Sequence, residues 1–263
     1  MTLTDASTAQ AAGPAPDGEP PVTVVVVDDE ELTRAGLRTL LDARPGIDVV
    51  GEAADGTEVL PLVTRLRPDV VLMDVRMPRL NGIEATRRLR AELSDPPKVV
   101  VITTFENDEY VWEALLAGAA GFIRKRAPSA EIAQAIRLVA GGDTLLFPDT
   151  LRRLAGRHFT AAPAWPGRAD HRAAALTNRE RETLRLMARG LSNQQISGRL
   201  TVSLETVKTH VGNVLTKLNA NNRTHAVVVA YETGVLVPGE VTADDGPARP
   251  YPAGRNPSVS NAR

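Results

Sequence analysis

The 263-residue chain has no cysteine, which excludes a disulfide framework and a thiolate metal site and fits a reducing compartment. Aromatic residues make up only 3% of it, so its cores must be built mainly from Ala, Val and Leu. No apolar run approaches the roughly 18 residues that span a bilayer, and Met1 to Pro21 lacks the basic start and apolar centre of a signal peptide. These absences predict a soluble cytoplasmic protein with no membrane segment. A net charge of only -1 hides an uneven distribution. Between residues 170 and 237, nine basic side chains face five acidic ones, a surplus that suits a polyanionic partner but also occurs on solvated helices. What is present is 43% hydrophobic residues, enough for packed cores, over a length that suits two ordinary domains with tails.

In chain order, Thr2 to Pro21 is rich in Ala, Pro, Gly and Ser/Thr without periodicity, so residues 1–21 are expected to form a disordered leader. Val22 to Val27 is a β-branched run ending on Asp28, Asp29 and Glu30, after which Leu32, Leu37, Leu40 and Leu41 recur at helical spacing. The unit repeats, with strands at Ile47 to Val50, Asp69 to Met73, Val99 to Ile102 and Ala120 to Ile123. Helices are expected near Gly56 to Arg67, Ile83 to Leu93, Asp108 to Ala117 and Ser129 to Ala140. Five alternating strands and helices predict an α/β domain over residues 22–142, a doubly wound parallel sheet.

The chemistry gathers on Val70 to Pro78, VVLMDVRMP, where a buried-looking strand ends on Asp74. Taken alone, Asp74 reads equally as an acid that caps the next turn. Right-handed crossovers, however, put the carboxyl ends of all the strands on one edge, where such sheets bind ligands. There the first strand delivers Asp28 and Asp29, the third Asp74, the fourth Thr103 and the fifth Lys125. Three converging carboxylates repel one another, and hard oxygen ligands of this kind suit Mg²⁺. Such an ion would relieve the repulsion and neutralise an incoming phosphoryl group, with Lys125 and the Thr103 hydroxyl contacting its oxygens.

Across roughly Val22 to Gly141 the sequence resembles the receiver domains of bacterial two-component response regulators. The resemblance is carried by VVVVDDE, by VVLMDVRMP with Asn81-Gly82 after it, by ITTF holding Thr103, and by AGFIRK holding Lys125. It implies a five-stranded sheet in the order 2-1-3-4-5 and Asp74 as acceptor of phosphate from a histidine kinase. Asp28 and Asp29 would hold Mg²⁺ with Asp74 and the Arg76 carbonyl, Lys125 and Thr103 would sense the phosphoryl group, and Phe122 would be the aromatic coupled to Thr103. Arg76, Thr104 and Arg126 are less standard positions around that cleft, and a bulky Arg76 there is expected to slow hydrolysis.

Residues 143–172 read as a linker, with a short helical piece near Thr150 to Leu154 before Pro163, Trp165, Pro166 and Gly167. A second domain is expected over residues 173–237. Thr177 and Glu180 have capping-box spacing, Leu184, Met187, Ala188 and Leu191 give an apolar face, and Ser192 caps a second helix. Leu204 to Leu218 and Asn222 to Glu232 supply two more helices, completing a small all-α four-helix unit in which a helix-turn-helix enters a major groove. From Leu176 to Leu236 the chain resembles the LuxR-type helix-turn-helix of the NarL/FixJ group, on LTNRERETLRLMARGLSNQQIS and TVSLETVKTHVGNVLTKLNANNRTHAVVVAYETG.

That resemblance implies double-stranded DNA as ligand, bound by a homodimer. Leu204 to Leu218 becomes the recognition helix, with Thr206, Lys208 and Thr209 as groove and phosphate contacts and the last helix as the dimerising one. Helical geometry puts Val207, Val211, Val214, Leu215 and Leu218 inward and leaves Glu205, Lys208, Thr209 and Gly212 outward. Asn193 and Gln194, at the start of the second helix, are expected to reach phosphates. Residues 238–263 are expected to be a disordered tail. The whole reads as a transcription factor controlled by phosphorylation of Asp74. Two alternatives stay open: a DNA-binding regulator independent of phosphorylation, and a phosphatase that forms an aspartyl-phosphate. The latter is disfavoured because such enzymes resemble DxD at the nucleophile, where this chain has Asp74, Val75 and Arg76.

Overall fold

Runs of valine set the architecture. β-branched side chains are stiff and pack well on a pleated surface, and the strand β1 (Val22–Val27) is almost nothing else. In the computed structural model, which describes residues 20–104, 108–142, 147–160 and 175–238, β1 lies inside a sheet with neighbours on both sides. The rest of the leader, Trp165 and the tail from residue 239 lie outside the described residues. The chain continues through α1 (Glu31–Asp42), β2 (Ile47–Ala53), α2 (Gly56–Leu66), β3 (Val70–Asp74), α3 (Gly82–Glu92), β4 (Lys98–Thr103), α4 (Asp108–Ala117), β5 (Gly121–Arg124) and α5 (Ser129–Gly141). All pairings are parallel, and the five strands are ordered β2-β1-β3-β4-β5. β2 is longer than its sequence suggests, since it follows β1 as far as Ala53 across a register shift at Val24/Val25.

Alternate residues of each strand feed two cores. Val24, Val26, Val70, Leu72, Val100 and Ile102 face α1 and α5. Val25, Val27, Val71, Met73, Val99 and Val101 face the opposite layer, whose core runs without a break into the second domain. The connecting chain contributes to that continuity. Its helix α6 (Pro148–Thr160) is longer than the short piece expected within a linker, because Leu151, Leu154 and Ala155 are all buried. This helix packs between α4 and the last helix of the chain. The second domain comprises α7 (Asn178–Ala188), α8 (Asn193–Leu200), α9 (Leu204–Leu218) and α10 (Arg223–Glu232). Capping boxes start two of them, Thr177 with Glu180 at α7 and Ser192 with Gln195 at α8. Glu180 also accepts Lys217 Nζ at 2.6 and 2.8 Å, which pins α9 to the start of α7.

α4 and α10 have few outward polar positions, and a helix that is apolar all round is buried on more than one side. Each covers the other. Val111, Trp112, Ala114, Leu115 and Ala117 of α4 are buried, as are Thr224 to Val228, Ala230 and Tyr231 of α10. Hydrogen bonds lock the contact at the turn before β5. Asn222 Nδ2 donates to Gly118 O at 2.7 Å, Thr224 Oγ1 to Ala120 O at 2.6 Å, and Asn221 Nδ2 to Gly118 O at 3.2 Å. Gly118 has φ +111°, and a Cβ there would lie 3.0 Å from the Asn221 amide, so only glycine brings this carbonyl so close to the second domain. At the other end of α4, Trp112 Nε1 donates to Glu232 Oε1 at 2.8 Å.

Candidate functional site

The strand register places the candidate side chains on one edge of the sheet. Val27 pairs with Met73, Asp74 with Ile102, and Thr103 with Arg124. Asp28, one residue past the end of β1, is therefore level with Asp74, and Lys125, one residue past the end of β5, lies one step beyond the level of Thr103. Carboxylate oxygens of Asp28, Asp29 and Asp74 all lie within 4.8 Å of one another. Asp28 is fully buried and Asp29 exposed. Lys125 Nζ bridges the cluster, 2.6 Å from Asp28 Oδ2 and 3.0 Å from Asp74 Oδ2. The Asp28 contact is ionic, and its angle leaves that oxygen without a well-directed donor. Asp74 Oδ1 accepts the Val75 N–H at 2.8 Å, while Asp28 Oδ1 accepts that of Glu30 at 3.0 Å. A Cβ on Gly82 would stand 2.0 Å from the Asp74 carbonyl, so glycine is required for α3 to begin this close to the acid.

Burial pushes the Asp74 carboxyl above the usual range, and the nearby Asp28 charge adds to that, against the opposing pull of Lys125. Burial by itself would lower the Lys125 ammonium, but bonds to Asp28 and Asp74 override it and hold the group above its ordinary value. The cluster therefore calls for positive charge and already draws in the Lys125 ammonium. An all-oxygen donor set with an under-coordinated buried oxygen fits a hard divalent cation such as Mg²⁺.

Thr103 is buried at the next strand end, and its carbonyl accepts the Lys125 N–H at 2.9 Å. Phe122 is half-buried on β5, with its ring centroid 5.5 Å from that of Phe147. Arg76, Thr104 and Arg126 are exposed around the cleft. The structure thus brings Asp28, Asp29, Asp74 and Lys125 into direct proximity, with Thr103 on the adjoining strand.

In the second domain, Ser203 caps α9 by accepting the Thr206 N–H at 3.1 Å. Val207, Val214 and Leu218 are buried, and Val211 and Leu215 are half-buried, as the inward stripe requires. Glu205, Lys208, Thr209 and Gly212 form an exposed face. On it Lys208 Nζ pairs with Glu205 Oε1 at 2.9 Å, and the Thr209 hydroxyl donates to Glu205 O at 2.9 Å. Thr206 is less available, since its hydroxyl lies 2.8 Å from Ser203 Oγ at the cap. Gln194 is exposed, but Asn193 is buried with its Oδ1 accepting from Arg223 at 3.1 Å. Asn193 thus departs from the sequence expectation of a phosphate contact: facing inward, it ties α8 to α10. A Cβ on Gly212 would meet nothing within 4 Å, so Gly212→Ala should raise the domain's stability by about 1 kcal/mol, readable as a higher denaturation midpoint.

Sequence reading missed the interface residues Gly118, Asn221, Asn222, Thr224 and His225. Their signal was indirect. The run AVVVAY within the last helix leaves no polar face, which marks a helix covered on two sides. Tyr110 and Trp112 divide accordingly, Tyr110 being 42% exposed and Trp112 only 2%.

Two family models match the chain, the response regulator receiver domain over residues 24–137 and the bacterial regulatory proteins of the luxR family over residues 174–230. The chain is 40% identical over 215 residues to the uncharacterized transcriptional regulatory protein YxjL of Bacillus subtilis (strain 168), covering 82% of this chain and 97% of that protein. It is 40% identical over 216 residues to the transcriptional regulatory protein LiaR of the same strain, covering 82% and 99%. With the response regulator protein VraR of Staphylococcus aureus (strain Mu3 / ATCC 700698) it shares 36% identity over 215 residues, covering 82% and 99%. A sheet edge that gathers acids around one lysine, followed by a capped helix-turn-helix with an exposed polar face, thus sits in a chain that belongs to the LuxR-type response regulators, transcription regulators that join a receiver to a DNA-binding domain.

Proposed function

We propose that Asp74 accepts a phosphoryl group from a phosphohistidine of a sensor kinase in the cytoplasm, and that this event frees α10 to form a homodimer on DNA. The observation that carries the reading is the joint placement of Asp28, Asp29, Asp74 and Lys125 on one strand edge. An Asp74 carboxylate oxygen attacks phosphorus, the P–O bond forms as the P–N bond breaks, and the imidazole leaves with the electron pair. Asp28, Asp29, Asp74 and the Arg76 carbonyl would hold Mg²⁺, which when bound supplies charge neutralisation for the transferring phosphoryl group. Lys125, held above its ordinary pKa, stays protonated and exchanges its carboxylate contacts for a phosphoryl oxygen. The Thr103 hydroxyl donates to another, and Phe122 follows the space Thr103 vacates. The reaction serves signalling and has no turnover as its purpose, so the protein acts as a regulator and not as an enzyme.

Lys125 is joined to the interdomain contact through β5. Lys125 follows directly on the four-residue β5, and Gly118 and Ala120, whose carbonyls hold Asn222 and Thr224, directly precede it. A pull on one end of so short a strand shifts the other, and packed interfaces switch between discrete arrangements. What this arrangement covers is α10, while Lys208, Thr209 and Gln194 are exposed. Control therefore falls on pairing the domains, and DNA affinity rises because two half-sites are bound at once. Treating the full chain with a small phosphodonor and Mg²⁺ should convert monomer to dimer and tighten binding to a DNA fragment selected from a random-sequence pool. Unchanged affinity and unchanged mass in solution would sink this reading in favour of a regulator independent of phosphorylation.

His225 makes the closed arrangement sensitive to acid. It is 2% exposed at the start of α10, with Nδ1 2.9 Å from Asn221 Oδ1. Burial and then the Arg90 charge lower its pKa to about 4, against a bond to the Leu116 backbone. The exposed imidazole of the open or unfolded chain titrates near 6.5 and so takes up protons that the closed form refuses. The closed arrangement keeps this contribution fully above about pH 6.5 and loses it, at about 1.4 kcal/mol per unit of separation, as pH falls toward 4. Hydrogen exchange across α4 and α10 should accelerate between pH 7 and pH 5 beyond its intrinsic pH dependence, and His225→Gln should flatten that extra slope.

A further inference from the structure

Arg185, Arg189 and Arg199, from α7 and α8, line a cleft of about 300 Å³ whose opposite wall is Leu236 and Val237, the chain that follows α10. Among the described residues, none of the three side chains meets a carboxylate. Glu182 reaches the rim, but Arg179 holds its carboxylate at 2.7 Å. Three arginines thus share the lining of one concavity, and each guanidinium carries five donors. Mutual repulsion and these planar donors make such a place receptive to carboxylates, which guanidinium binds in paired, charge-assisted bonds. None of the side chains on the exposed α9 face lines it, so the cleft is separate from the candidate DNA surface.

The chain itself supplies the matching charge. After Val237, itself 45% exposed on the cleft wall, the sequence reads PGEVTADDGPAR, with acids at Glu240, Asp244 and Asp245 and no basic residue before Arg249. At no more than about 3.6 Å per residue, all three acids stay within short reach of the wall they leave from. A tether this short gives the carboxylates an effective concentration on the order of millimolar at the arginines. We propose that the acidic stretch Glu240–Asp245 folds back into the cleft and pairs with Arg185, Arg189 and Arg199. In doing so it offsets most of the basic surplus of the second domain. On the DNA-binding reading above, the consequence is weaker salt-dependent attraction to DNA of arbitrary sequence. The docking itself does not depend on that reading.

The absence of cysteine makes the test clean, because Thr242→Cys gives the full chain a single site for a nitroxide label. At low salt, the label should broaden away the amide signals of α7 and α8 around Arg185, Arg189 and Arg199. Those signals should return in high salt and in the charge-neutral tail Glu240→Gln, Asp244→Asn, Asp245→Asn. An untouched cleft at low salt would overturn the proposal, and so would broadening centred on α9 or on the receiver. Broadening at the cleft that survives neutralisation of the tail would also overturn it, since the contact would then not be ionic. A cleft that the tail leaves empty but that binds an added acidic peptide would belong to a partner protein, which is likewise a refutation.

Discussion

Asp74→Asn is expected to abolish transfer of label from a radioactive small phosphodonor in the presence of Mg²⁺, with no residual hydroxylamine-sensitive phosphate on the chain. The amide keeps the shape and the Val75 N–H contact of the acid but has no nucleophilic oxygen to offer phosphorus. The substitution does not cost the fold stability, and the sign of the titration says why. Burial raises the pKa of Asp74 above its unfolded value, so its ionised form is disfavoured by folding, and neutral pH is where that penalty is felt. Removing the charge leaves Lys125 paired with Asp28 at 2.6 Å. The variant should therefore melt no lower than the wild type while failing to dimerise with the phosphodonor. Persistent labelling of Asp74→Asn would move the acceptor elsewhere and take the proposed mechanism with it.

The second large effect concerns the lock between the domains. Asn222→Asp with Thr224→Val should open the protein without any phosphodonor. Asn222 has two tasks: its Oδ1 caps α10 by accepting the His225 N–H at 2.9 Å, and its Nδ2 donates to Gly118 O at 2.7 Å. Aspartate keeps the cap and turns the second contact into a meeting of two acceptors. Valine keeps the volume of Thr224 and removes its donation to Ala120 O. Ala120 O loses the Thr224 hydroxyl, and a buried carbonyl left without such a donor costs about 1–3 kcal/mol; Gly118 O keeps Asn221 Nδ2 at 3.2 Å but now faces a carboxylate, so the closed form should lose roughly 2–4 kcal/mol in all, a shift of about 30-fold to several hundred-fold. Hydrogen exchange in α4 and α10 reads this directly, and the open variant should dimerise at lower concentration than the wild type. Exchange as slow as in the wild type would show that the apolar contact around Trp112 and Tyr231 suffices by itself, and that these bonds do not control release.

Much of this protein was legible in the sequence, for reasons that are local. A β-branched run followed by acids has few stable forms other than a buried strand ending in a polar loop. Repetition of that unit compels a parallel sheet with its strand ends on one edge. Asp28, Asp29, Asp74, Thr103 and Lys125 are thus placed together by the sequence alone, because strand register carries them there. The Thr177–Glu180 box and the Val207, Val214, Leu218 stripe were legible on the same ground: capping and helical periodicity act within a few residues.

Contacts between distant segments were not legible in this way. That Asn193 faces inward depends on Arg223, thirty residues away, and a polar residue at a helix start looks the same whether it meets water or a guanidinium. The length of α6 depended on two helices that cover its apolar side, and the burial of α10 depended on α4. Sequence by itself determined the two folds, the acidic edge and the outward face of α9, since each follows from short-range sterics and periodicity. Only the tertiary structure decided that the last helix is covered while the outward face of α9 is exposed, because that choice rests on how two apolar faces and a few buried carbonyls find their partners across the chain.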